Sequence, residues 1–196
     1  MDFVQLEALV SDFVQQLFRE KLSAKLYFHN VAHTQYVVNA AREIGMNAGL
    51  DAEELETVLL AAWFHDTGYT ETYQQHELAS VEIAVQFLAG HGLAKHRLDE
   101  VSTCILATRF PQQPVNLMEK VICDADFYHF SMDNYLAFAQ SLKQEWEEVI
   151  GLEYTPLQWN SINLKMLLNH QYFTSFGQHK LQICKEKNIR LLQQLI

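Results

Sequence analysis

Apolar residues recur at helical spacing along almost the whole chain. Leu6, Val10, Phe13, Val14 and Leu17 share one face and predict a helix over about 3–20. An irregular stretch around residues 23–30 leads to a second predicted helix, 31–48, which ends near Gly49. Asp51 reads as the N-cap of a third, with Glu53, Glu54 and Glu56 set against the positive end of its dipole. That helix reaches His65-Asp66 and stops at Gly68. After a loop over 69–75, a fourth helix presents a face of His76, Ser80, Ile83, Ala84 and Phe87. Further helices are expected at about 96–108, 115–130, 132–150, 156–170 and 176–194. The three prolines, none before Pro111, and seven glycines favour an all-α fold over a strand-rich one. With no repeat or linker in view, residues 1–196 are expected to form a single domain, the helices from 132 onward packing on the rest.

Four polar residues occupy positions where this pattern calls for apolar ones. His33 is in register with Val37, Ala40, Ala41 and Ile44, and Asp66 with Leu55, Leu59 and Ala62. His65 is adjacent to Asp66, and Asp126 follows Met118 and Ile122. All four are therefore expected to point into a core. An unpaired carboxylate there costs roughly several kcal/mol before any shift in its pKa. One divalent cation shared by all of them is the economical partner, and imidazole with carboxylate suits Mg, Mn, Fe, Co, Ni or Zn.

Composition narrows the classes. About half of the 196 residues are apolar, which argues against disorder. A formal net charge of -10 argues against general nucleic-acid binding, because affinity for a polyanion rests on Lys and Arg. The longest apolar run, Val58 to Phe64, is too short to span a bilayer. The opening Met1-Asp2-Phe3 does not read as a secretion signal. Cys104, Cys123 and Cys184 are scattered and odd in number, as expected of reduced thiols in a cytoplasmic protein.

Around the four polar residues stand longer motifs. Phe28-His29-Asn30-Val31-Ala32-His33 leads into the second helix, Ala61 to Tyr69 carries His65-Asp66, and Cys123-Asp124-Ala125-Asp126 closes the set. Together these resemble the HD superfamily of metal-dependent phosphohydrolases, whose signature is H…HD…D on separate helices of an all-α bundle. The resemblance covers about residues 25–130. It implies metal ligation by His33, His65, Asp66 and Asp126, with Asp124 in a supporting or structural place. It also implies hydrolysis of a phosphoester of a nucleotide or related small phosphate by a metal-activated water, with Asp66 orienting or deprotonating that water.

Other positions are candidates by the same resemblance. His29 matches the histidine that protonates the leaving oxygen in cyclic-nucleotide phosphodiesterases, and its competing role is structural packing of the loop. His76, in His76-Glu77-Leu78-Ala79-Ser80, matches a further histidine of dinuclear members and is a candidate second-metal or substrate residue. The helix after it has no histidine near Thr108, which leaves one metal site and a weaker candidate second. Arg109 is a candidate for substrate phosphate, against the plainer reading of a surface arginine. Tyr69 stands where HD-GYP cyclic-di-GMP hydrolases have lysine and 5′-nucleotidases glutamate. What remains resembles a small stand-alone HD hydrolase. The alternatives are an HD-fold di-iron oxygenase, which needs more histidines, and a non-catalytic ligand-sensing module.

Overall fold

The computed structural model describes residues 2–196, and among them it is all-helical. In chain order the helices are α1 Phe3–Lys21, α2 Val31–Ala48, α3 Ala52–Phe64, α4 His76–Gly90, α5 Lys95–Ala107, α6 Leu117–Asp126, α7 Tyr135–Val149, α8 Pro156–Asn169 and α9 Gln182–Gln193. The all-α expectation is borne out, and most helix bounds lie within a residue or two of those read from periodicity.

Helix α3 is the axis of the fold. It starts at a capping box, in which Asp51 Oδ1 accepts from the Glu54 backbone N–H and Glu54 Oε2 accepts from that of Asp51. Its residues Thr57 to Phe64 are all buried, because α1, α2, α4, α5 and α6 pack around it. A helix enclosed on every side is apolar on every side. That accounts for the unbroken run from Val58 to Phe64, wider than the single stripe of Leu55, Leu59 and Ala62.

The ends of these helices are fixed locally. Asn30 caps α2, its Oδ1 accepting from the backbone N–H of Ala32 and His33, so the first turn that carries His33 is held in place. Beyond α3 the chain tightens into a 3-10 turn, Thr67–Thr70. Gly68 lies so close to the start of α4 that a Cβ there would sit 1.9 Å from the His76 carbonyl oxygen. Ser80 Oγ accepts from the Gly68 N–H (2.8 Å) and donates to the His65 carbonyl (2.7 Å). The end of α3 is thus latched to the first turns of α4.

Two predicted helices are interrupted. The one expected over 115–130 is α6 followed by a separate 3-10 turn, Phe127–Ser131. The one expected over 176–194 opens with a π-helical turn, Gly177–Leu181, before α9. Both breaks adjoin Asp124. Its Oδ1 accepts from the Phe173 N–H (2.8 Å), and its Oδ2 accepts from Thr174 N–H (2.9 Å) and Thr174 Oγ1 (2.7 Å). Gly177 passes so close that a Cβ on it would lie 2.5 Å from Asp124 Oδ2. Asp124 therefore ties the approach to α9 to the helix bearing Asp126. The C-terminal helices also share a second, smaller apolar cluster of Phe130, Tyr135, Ala139, Leu167 and Leu192.

Removing this tie strands buried donors, at about 1–3 kcal/mol each. Asp124→Ala is expected to lower unfolding free energy by about 3 kcal/mol, measured by urea denaturation, and a loss under 1 kcal/mol would contradict it.

Candidate metal centre

Four side chains from three separated segments meet at one buried point. His33 comes from the first turn of α2, His65 and Asp66 from the end of α3, and Asp126 from the last residue of α6. Ligand atoms of His33, His65 and Asp66 lie within 4.8 Å of one another. His33 Nε2 is 3.4 Å from both Asp66 Oδ2 and Asp126 Oδ1. His65 Nε2 is 3.2 Å from Asp66 Oδ2 and 3.8 Å from Asp126 Oδ1.

These distances are close, but the atoms are not aligned to bond each other. His33 Nε2, His65 Nε2 and Asp66 Oδ2 are buried atoms with no hydrogen-bond partner. Such atoms are rare in folded proteins unless something else engages them. His65 Nδ1 is already bonded to the Ala62 carbonyl (2.8 Å), which turns Nε2 toward the cluster in the manner of a metal ligand. The donor set therefore fits a divalent cation. Without one, burial alone would depress the His65 pKa, but Asp66 and Asp126 outweigh it and raise it to about 9. Burial would raise the Asp66 carboxyl, whereas His65 and His76 hold it well below the usual carboxylate range.

The Asp66 carboxylate faces two ways. While Oδ2 meets His33 and His65, Oδ1 lies 3.4 Å from His76 Nε2. His76 is mostly buried, with its ring stacked on Tyr69 at 3.8 Å. The structure thus brings His76 to the cluster, whereas Arg109 is exposed.

A second layer arrives from α7. Glu145, fully buried, accepts from the backbone N–H groups of Phe28 (2.9 Å) and His29 (3.1 Å) through Oε2. Its Oε1 is 2.5 Å from His29 Nδ1 and accepts from the Tyr73 hydroxyl at 2.9 Å. The other ring nitrogen, His29 Nε2, lies 3.3 Å from the Tyr69 hydroxyl. Burial alone would depress the His29 pKa, but the Glu145 carboxylate and the more distant Asp66 and Asp126 raise it above its ordinary value. Behind the cluster, His129 Nδ1 is 3.0 Å from the Asp126 carbonyl, and burial pushes this imidazole down to about 3.

With this geometry in hand, the comparison with known families is direct: the HD domain family matches residues 30–131. The chain belongs to that family. Two solved structures share the fold of this HD domain over nearly its full length. The Listeria innocua Lin1889 protein has a TM-score of 0.68 at 16% identity, with 98% of this chain and 96% of that one covered. Bacillus subtilis YpgQ, solved in complex with ADP, has a TM-score of 0.67 at 19% identity, with 97% of each covered. No curated protein matches the sequence. Among the described residues no helix is long and apolar enough to cross a membrane.

A cavity of about 420 Å³ opens beside the clustered side chains of the HD domain. Asp66, His76, Asp126, His29 and His129 line one part of it, and side chains of α7 and α8 line the rest. Arg109 does not line it, although its neighbours Thr108 and Phe110 do. Glu145 and His129 escaped the sequence reading. Glu145 sits beside Glu147 and Glu148 and looks like part of a solvated run, and His129 is a lone histidine among aromatics.

A cation must displace the proton that His65 holds up to about 9. Below that pH, apparent Mn²⁺ affinity is expected to rise with pH, by roughly tenfold per unit for one proton, and to level off above it. Isothermal titration in buffers of different ionisation enthalpy at pH 7.5 should show about one proton released. A flat affinity between pH 7 and 9 would contradict this.

Proposed function

We propose that this HD domain is a metal-dependent phosphohydrolase that cleaves a small phosphoester, nucleotides included. The observation that carries the reading is the set of buried, unpartnered atoms on His33, His65 and Asp66, joined by Asp126, at one end of a cavity sized for a small molecule. The ADP held by YpgQ, which shares the fold, supports a ligand bearing phosphate. His33, His65, Asp66 and Asp126 would hold the ion. Bound there, a divalent cation activates water and offsets charge on the phosphate.

The chain's own residues supply the remainder. Asp66 orients the attacking water through its carboxylate, which lies at the centre of the cluster. His29 gives a proton to the departing oxygen. Its Nδ1 is committed to Glu145, so Nε2, 3.3 Å from the Tyr69 hydroxyl, is the nitrogen that would act, and the Glu145 carboxylate favours the protonated ring. Glu145 fixes the ring and the backbone around it. The phenol rings of Tyr69 and Tyr73 close the same side of the cavity.

His76 beside Asp66 Oδ1 favours a weaker second ion over a full dinuclear site, because Thr108 stands where a further histidine is needed. That shortage counts against the di-iron oxygenase reading, and a content of two irons per purified chain would restore it.

The tests are separable by residue. Asp66→Ala should abolish both Mn²⁺ binding and phosphate release from a nucleotide panel. His29→Ala should retain Mn²⁺ affinity while lowering kcat by about 10²-fold, within the span usual for general acid catalysis. Glu145→Gln should lower kcat by about tenfold and shift the basic limb of the pH profile downward, since it removes the charge that raises His29. Undiminished phosphate release by Asp66→Ala would defeat the proposal, and metal binding without hydrolysis of any phosphoester would favour a ligand-sensing module.

A further inference from the structure

The cavity is chemically lopsided. At the end near the cluster stand Asp66, Asp126, Glu77 and five imidazole or phenol groups, while Phe138 and Leu142 of α7, Ile150 just beyond it, and Ile162 and Met166 of α8 line the opposite wall. Among the described residues no Lys or Arg lines any part of it. The polar side chains within the apolar wall are largely spent on each other. Tyr135 donates to Asn163 Oδ1 at 2.5 Å, and Asn163 Nδ2 donates to the Trp159 carbonyl at 2.9 Å. The Trp159 indole N–H is left as a single buried donor without a partner.

Charge accounting then limits what fits. One divalent cation would offset Asp66 and Asp126, Glu145 is engaged by the His29 ring, and Glu77 adds a further carboxylate at the same end. One phosphoryl group can still ligate the cation directly and lie beside the imidazoles of His29 and His76. A second or third would lie in a desolvated space with carboxylates and no cationic side chain, which is strongly unfavourable. A sugar rich in hydroxyls would likewise find few partners along the α7–α8 wall. An apolar body gains by covering aromatic and aliphatic surface there.

From this, and resting on the phosphohydrolase reading, we infer that the substrate is a phosphomonoester of an uncharged, largely apolar alcohol. The polyphosphate of a nucleoside triphosphate does not suit the site. In the step itself, the oxygen of water bonds to phosphorus as the ester P–O bond breaks. His29 protonates the departing alkoxide, inorganic phosphate leaves, and His29 recovers its proton from solvent.

The test uses esters of primary alcohols, so that leaving groups are matched, with Mn²⁺ present and released phosphate measured. For the full chain, kcat/KM for 4-phenylbutyl phosphate is expected to exceed that for glycerol 3-phosphate and for ATP at least tenfold. The alcohol 4-phenylbutanol should bind without any phosphate, quench tryptophan fluorescence, and compete with its ester. Ala139→Phe, which fills the apolar wall, should cut the preference for the phenylbutyl ester at least tenfold; the wild-type ratio stands as evidence even if this variant does not fold. Turnover of ATP or glycerol 3-phosphate equal to that of the phenylbutyl ester, or no binding of the alcohol, overturns the inference and leaves the phosphohydrolase reading intact. Binding of the alcohol with no ester hydrolysed defeats the phosphohydrolase reading, and the inferred substrate with it.

Discussion

Lone pairs buried together in a helical core repel each other and lose their hydration, and they stay together only if a positive charge compensates both losses. His33, His65, Asp66 and Asp126 place the structure under that requirement. Much of the surrounding architecture serves it. Asn30 holds the turn of His33, Ser80 ties the His65 carbonyl to the turn at Gly68, and Asp126 ends α6 at the same point. Asp66 and Asp126 favour positive charge on His65, the same electrostatic demand that a bound cation would meet.

The candidate site extends past the segment that matches the family. Residues 30–131 contain the clustered imidazoles and carboxylates, yet Glu145, which anchors His29, lies on α7, and much of the apolar wall of the cavity comes from α7 and α8. The N-terminal helices thus hold the groups suited to chemistry, and the later helices shape what can approach them. Differences between members of such a family can therefore reside in the later helices without disturbing the buried cluster.

What could be read from the sequence followed physical range. Helix positions were legible because their causes are local: the stripe of α1, the cap at Asp51 and the glycine at 49 each act within a few residues. The His33, His65, Asp66 and Asp126 set was legible because charge in an apolar register has few explanations. Glu145 was not, since its partner is 116 positions away and its neighbours are acidic. The 3-10 and π turns around Asp124 were also hidden, for they depend on a close approach between α6 and the segment before α9. His76 stood between these cases. Its spacing suggested the site, and only the fold placed it against Asp66.

Asp124 and Asp126 stand two residues apart on α6 and face different tasks. One grips the strand of chain leading to α9, which packs on α8, and the other faces the cluster. A single turn of α6 thereby links the clustered side chains to the segments that support α8, which lines the far side of the cavity. In the proposed enzyme that turn would act as a gauge, setting the reach as well as the polarity of the molecules admitted.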